Sequence, residues 1–227
     1  MKSHIVHDSE PITLLGAGCF GDDALTSALS IGPILVAADG GAKLALEKGH
    51  MPQAVIGDFD SLDVDSRAVI PENRLHYIPE QETTDFEKCL TRISAPLILG
   101  VGFAGARLDH ELAALNALVR HPHKRCVLIG ADDITFLAPP DIKLNLPDGS
   151  RLSLFPFGRV NGTSGGLRWP IKGLKFAPDG RIGTSNEVIA PLTLRFDAPK
   201  MLMLLPRQAL GEVAETLAAL PETWPAP

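Results

Sequence analysis

Cysteine is the first shortage. The chain has three, Cys19, Cys89 and Cys126, far apart and odd in number. They supply neither a metal-ligand spacing nor a disulfide framework, which suits a reducing compartment. No apolar run approaches the length that spans a bilayer, and the N-terminal segment MKSHIVHDSEPITLL contains no apolar signal core. A cytoplasmic location without a membrane partner is therefore expected. Positive charge is not in excess either: 21 Lys and Arg stand against 27 Asp and Glu, a net charge of −6, which argues against a broad nucleic-acid footprint. Internal repeats and low-complexity blocks are missing. What remains is ordinary globular material, 45% hydrophobic and 21% charged over 227 residues, enough to build one large domain or two small ones.

Up to about residue 131 the pattern alternates. Short apolar runs predict strands over 12–15, 34–38, 54–56, 74–78, 97–101 and 126–129. Between them, helices are predicted over 22–29, 42–48 (closed by Gly49), 84–93 and 108–119. The third shows Phe86, Cys89, Leu90 and Ile93 at helical spacing, and the fourth Leu108, Leu112, Leu115 and Leu118. Such alternation argues for a mostly parallel, doubly wound sheet. After about Ala131 the rhythm changes to short strands over 134–137, 142–146, 151–155, 192–196 and 201–205, with turn signals at Pro147-Asp148-Gly149 and Pro178-Asp179-Gly180. This half reads as a small antiparallel sandwich or barrel. Pro206 opens a final helix over 209–220, ahead of a Pro-rich tail.

The richest chemistry follows the apolar run Ala54-Val55-Ile56. Gly57-Asp58-Phe59-Asp60-Ser61-Leu62-Asp63-Val64-Asp65 places four carboxylates at the carboxyl end of a strand, where open α/β sheets bind ligands. Asp58 and Asp60 are two apart, so an extended backbone sends them to the same side. Two carboxylates about 4 Å apart repel by roughly 4 kcal/mol at an effective dielectric near 20. Protonation, water or a cation must relieve that repulsion, and hard oxygen donors without a nearby cysteine favour magnesium or calcium over zinc. A solvated acidic turn, with Asp58 or Ser61 as a helix cap, is the plain structural alternative.

Other motifs surround it. Gly16-Ala-Gly18-Cys-Phe-Gly21 matches G-x-G-x-x-G after a strand, and Asp39 ends the next strand, which together suggest an NAD-dependent oxidoreductase. Against that reading, Asp22 and Asp23 open the helix that should receive a pyrophosphate, and residues 58–65 would have no role. Asp39-Gly40-Gly41 permits a tight turn or the close approach of a phosphate. Thr84 and Glu87 have capping-box spacing, leaving Asp85 in the first turn of its helix. Arg107-Leu108-Asp109-His110 opens the long helix after the Gly-rich run 100–105; the Arg107 fork suits phosphate oxygens, and Asp109 suits a helix start. His110, taken alone, reads as a packing or hydrogen-bonding residue.

In that order, DGG at 39–41, GDFDS at 57–61, E-x-T-D at 82–85, RLDH at 107–110, GLRWPIKG at 166–173 and Ser185-Asn186-Glu187 resemble the thiamine pyrophosphokinase family, from about residue 34 to 205. The resemblance implies transfer of a pyrophosphoryl group from ATP to the hydroxyl of thiamine, giving thiamine diphosphate and AMP, with magnesium. It implies an α/β ATP-binding domain over 1–131 with a mostly parallel, doubly wound sheet, a C-terminal antiparallel β-sandwich over 132–206 that binds thiamine, and a helix and tail over 207–227. A homodimer with the thiamine site at the subunit interface is implied as well. By matching position, Asp58, Asp60 and Asp85 are implied as metal ligands. The same three and Asp109 are implied in catalysis, with Asp85 or Asp109 orienting or deprotonating the hydroxyl. Asp39 is implied in the same acidic cluster, and with Gly40, Arg107 and His110 it falls on the ATP and phosphate side. Trp169, Ser185 and Asn186 fall on the thiamine side, where the ring of Trp169, one of two tryptophans, would attract the cationic thiazolium by roughly 0.5–2 kcal/mol. The pattern departs at Gln81-Glu82, where many members carry Lys-Asp, a loss of one cation facing phosphate, and at Ala114, where Asn is common. A non-catalytic thiamine or nucleotide sensor is the third reading.

Overall fold

The computed structural model describes residues 4–105 and 107–226, with Asp22 described in its backbone alone. The chain forms two compact units. One comprises the residues up to Ala117 with Leu128–Ala131; the other comprises Leu118–Val127 with the residues from Asp132 onward.

The first unit is built on parallel pairs. Its strands are β1 (Val6–His7), β2 (Ile12–Leu15), β3 (Ile34–Ala38), β4 (Ala54–Gly57), β5 (Leu75–Tyr77), β6 (Ile93–Ser94) and β7 (Ile98–Val101), with β8 (Cys126–Ile129) entering it through Leu128 and Ile129. β3, β4 and β5 pair in parallel, as do β2 with β7 and β1 with β6. Every residue of β2, β4 and β7 is buried, so these strands read as unbroken apolar runs rather than as alternation. The helices are α1 (Asp22–Ile31), α2 (Gly41–Glu47), α3 (Val64–Val69), α4 (Asp85–Arg92) and α5 (Leu108–Arg120). Ala37 and Val55, on one face of β3 and β4, pack with Ala42 of α2 and with Leu62 and Ile70 flanking α3. Parallel pairing brings the carboxyl ends of β3 and β4 to the same edge, which delivers Asp39 and Asp58 there together.

Helix α3 was not expected. Its cap is Asp63, whose Oδ1 accepts from the Ser66 amide at 2.8 Å, so neither Asp58 nor Ser61 fills that role. β1 and β6 are two residues each, too short to leave a pattern.

The second unit pairs its strands antiparallel, with one isolated parallel bridge between Phe176 and Arg181. It contains β9 (Asp133–Leu137), β10 (Asp141–Leu144), β11 (Arg151–Pro156), β12 (Val160–Leu167), β13 (Lys175–Phe176), β14 (Gly183–Phe196), β15 (Met201–Pro206) and helix α6 (Leu210–Ala219). β15 lies between β9 and β11. The long β14 serves two sets of partners: its first half pairs with β11 (Leu152 opposite Asn186), its last part with β10 and β12 (Leu194 opposite Ile142 and Ser164). β12, with the sequence VNGTSGGL, and the part of β14 up to Pro191 lack apolar alternation and escape a pattern-based reading. Glu212 of α6 accepts from the Asn145 amide at 2.6 Å, tying the last helix to the end of β10. Among the described residues no helix is long and apolar enough to cross a membrane.

Candidate active site

Asp39, immediately after β3, is 2% exposed and adopts a left-handed backbone with φ 42°. Glycines make room for it. A Cβ on Gly57 would lie 2.8 Å from the Asp39 Cβ, and one on Gly41 would lie 2.2 Å from the Leu15 carbonyl oxygen. Asp39 Oδ2 accepts from the Ser61 amide at 3.3 Å, while Oδ1 is buried with no hydrogen-bond partner among the described residues. Phe59 is also left-handed, φ 61°, so Asp58 and Asp60 converge through a tight turn and not through extended alternation. The Asp60 amide approaches Asp58 Oδ1 at 3.5 Å, and Ser61 Oγ donates to Asp60 Oδ1 at 2.9 Å. One oxygen each from Asp39, Asp58 and Asp60 lies within 4.8 Å of the others, a spacing that could hold a metal ion. Burial, followed by a hydrogen bond shared with Asp60, pushes the Asp39 carboxyl up to about 7.

A lysine outside the sequence motifs anchors the opposite side. Lys88 on α4 is 2% exposed; its Nζ donates to Asp58 Oδ2 at 2.8 Å and to Asp85 Oδ1 at 3.0 Å. Gln81 Nε2 donates to the same Asp58 oxygen at 2.8 Å. The Lys88 bond is the chief reason that the Asp58 carboxyl sits below its ordinary range. Burial raises the Asp85 carboxyl despite Lys88, with Asp58 and Asp60 adding like charge. Asp85 is thus paired with Lys88, and the carboxylate that completes the close trio is Asp39. The clue was present: Lys88 stands three residues after Asp85 in a predicted helix, the spacing at which acid and base meet. Thr84 Oγ1 accepts from the Glu87 amide at 3.4 Å, the expected cap, and fixes Asp85 in the first turn.

A cavity of about 240 Å³ adjoins these groups. Asp39, Gly40, Ser61, Thr84 and Asp85 line one part, and Gly16–Gly18, Gly102–Ala104, Arg107 and His110 line another. Two glycine turns interlock to form its floor: the Gly16 amide donates to the Val101 carbonyl at 2.8 Å and the Gly18 amide to the Gly102 carbonyl at 2.9 Å. Arg107 pairs with Asp109 at 2.6 Å in solvent, and that guanidinium holds the Asp109 carboxyl below its ordinary range. Asp109 does not line the cavity.

The other three candidates lie in the second unit. Trp169 is 57% exposed, with the Arg168 guanidinium 5.9 Å from its ring centre. Arg168 pairs with Glu187 at 2.7 Å. Asn186 Oδ1 accepts from the amides of Trp169 at 3.2 Å and Glu187 at 2.8 Å, while its Nδ2 donates to the Trp169 carbonyl at 2.7 Å. Ser185 is left-handed, φ 59°, and its amide donates to Ser153 Oγ at 3.0 Å.

Residues 26–129 match the family model described as thiamin pyrophosphokinase, catalytic domain, and residues 141–201 match the one described as thiamin pyrophosphokinase, vitamin B1 binding domain. The chain belongs to the thiamin pyrophosphokinase family. Thiamine pyrophosphokinase 1 of Arabidopsis thaliana is 31% identical over 169 residues, covering 64% of this chain and 61% of that protein. Thiamine pyrophosphokinase 2 of Oryza sativa subsp. japonica is 31% identical over 178 residues, covering 66% and 64%. The chain thus spans about three-fifths of the length of these curated relatives. Two solved structures share the fold: thiamin pyrophosphokinase from Geobacillus thermodenitrificans, with TM-score 0.72 and 22% identity over 86% of this chain and 96% of that one, and yeast thiamin pyrophosphokinase, with TM-score 0.70 and 16% identity over 96% and 91%.

Membership of the thiamin pyrophosphokinase family removes support from the dinucleotide reading, and the local geometry agrees. A Cβ on Gly16 would meet the Phe103 ring at 2.6 Å, so the close approach that this glycine permits is taken up by the protein itself. As a thiamin pyrophosphokinase relative, the chain keeps a cation beside its acids despite the Gln81 departure: Lys88 supplies it, and Gln81 holds Asp58.

Proposed function

We propose that the chain transfers the pyrophosphoryl group of ATP to the hydroxyl of thiamine, giving thiamine diphosphate and AMP in a magnesium-dependent reaction. The observation that carries this is the convergence of Asp39, Asp58 and Asp60 within 4.8 Å beside the cavity. An all-carboxylate trio is a hard-oxygen donor set, and the buried Oδ1 of Asp39, which has no hydrogen-bond partner among the described residues, is an acceptor in need of a cation. These residues fit magnesium, which when bound would neutralise the carboxylates and the polyphosphate together.

The remaining work is positioning and charge management. Arg107 and His110, on the cavity wall, are suited to phosphate oxygens. Gly40 lets the polyphosphate approach the turn after β3. The thiamine hydroxyl oxygen attacks the β-phosphorus, the bond to the α-phosphate oxygen breaks, and AMP leaves. Between Asp85 and Asp109, Asp85 is favoured to take the hydroxyl proton. It lines the cavity and burial raises its carboxyl, whereas Asp109 stands in solvent with its basicity lowered by Arg107. The exposed Trp169 ring supports a stacking role against the thiazolium cation. A homodimer with the thiamine site at the subunit interface and a cytoplasmic location complete the reading. The parallel pairings support a doubly wound first domain, and the division of β14 between two partner sets supports a sandwich in the second.

An assay with ATP, magnesium and thiamine that follows AMP tests the proposal: AMP should appear only when thiamine is present. A ligand at about 100 times its Kd stabilises by roughly 2.7 kcal/mol, so melting should also rise with ATP and magnesium and not with NAD. Stabilisation without AMP would identify a sensor.

A further inference from the structure

The turn at 185–187 is built to hold Trp169. β12 leaves the ladder at Leu167, opposite Val188, and one further main-chain bond runs from the Arg168 amide to the Glu187 carbonyl at 2.9 Å. The next residue on β12's path is Trp169, and there the backbone partner is replaced by a side chain. The carboxamide of Asn186 accepts from the Trp169 amide and donates to the Trp169 carbonyl, the two bonds that a paired strand would have made. A third bond, from the Glu187 amide to Asn186 Oδ1, fixes the carboxamide itself. Asn186 is 9% exposed, and these three bonds use both of its polar atoms. Its neighbours contribute too. Left-handed Ser185 turns the strand, and Glu187 neutralises the Arg168 cation beside the ring.

We propose that Asn186 is a positioning residue which presents the Trp169 indole to the ligand and does not itself bind that ligand. The inference rests on the thiamine reading above and sharpens it. The side chain next to the aromatic platform is occupied by the platform's own backbone, so the ring face carries recognition of the heteroaromatic cation.

The test is a double-mutant cycle in the full chain with Trp224→Phe, which leaves Trp169 as the sole tryptophan fluorophore. Asn186→Ala should raise the KM for thiamine about ten-fold with the KM for ATP unchanged. In a Trp169→Ala background the same change should alter the thiamine KM by less than about two-fold. Asn186→Asp keeps both acceptor bonds, loses the donor and should fall between, which also covers a failure of the alanine variant to fold. Trp169 fluorescence anisotropy should drop in the order parent, Asp, Ala. An Asn186→Ala effect equally large without Trp169 would overturn the proposal, as would unchanged anisotropy. Lowered anisotropy in a chain whose fluorescence thiamine does not quench would uphold the clamp and sink the thiamine reading instead.

Discussion

The two groups of candidate residues solve opposite problems. In the first unit, charge is forced together: Asp39 is buried, Lys88 is buried, and tight glycines and left-handed residues hold the acids close. In the second unit, an apolar ring is kept apart, more than half exposed, on a strand end stiffened by one carboxamide. One region stores repulsion for a cation to relieve. The other stores uncovered aromatic surface for a ligand to cover. Both are unfavourable in the free protein, and each points to the chemistry that would relieve it.

Substitutions in the two regions should therefore differ in kind, and the largest effect should come from the buried cation. Lys88→Met leaves Asp58 and Asp85 facing each other; chemical denaturation should register a loss of about 3–5 kcal/mol, the usual result of breaking a buried pair. Asp60→Asn should leave the circular dichroism spectrum intact and reduce AMP formation at least about 100-fold, since it removes a carboxylate from the trio. Full activity in that variant would end the metal assignment.

Asp39→Asn should separate stability from function. The folded carboxyl titrates at about 7 against an ordinary value of 3.8, so the native state retains a proton that the unfolded chain has already lost. The stabilising contribution is complete below about pH 4 and disappears as pH rises through about 7. Metal-free parent protein should accordingly melt lower at pH 8 than at pH 5, and the Asn variant should lack that component while also losing any magnesium-induced rise in Tm. Smallest of all, Trp169→Ala should raise the thiamine KM by an amount equivalent to roughly 0.5–2 kcal/mol, with little change in the KM for ATP. Equal changes in both constants would make the tryptophan a packing residue, and the contrast between the two regions would fail.

How much of this the sequence disclosed follows from physics. Buried parallel strands must be apolar on both faces, so 12–15 and 34–38 stand out and coincide with β2 and β3. β12 and the part of β14 up to Pro191 carry Gly, Asn, Thr and Pro where side chains are partly solvated, and periodicity is silent there. The acids were legible individually because charge after a strand is conspicuous. Their grouping was legible through the family resemblance; what the pattern could not show was the means, the left-handed turns at Asp39 and Phe59, and Lys88, which the helical pattern treats as one more polar position. Asn186 was legible as a motif member; that its amide substitutes for a missing strand required coordinates.

Position 41 sets a boundary for anyone reshaping the pocket. A methyl group there would sit 2.2 Å from the Leu15 carbonyl, closer than any repacking of side chains can relieve, because the obstacle is main chain. In variant libraries aimed at new nucleotides, every member that changes Gly41 should therefore be recovered only as misfolded protein or not at all.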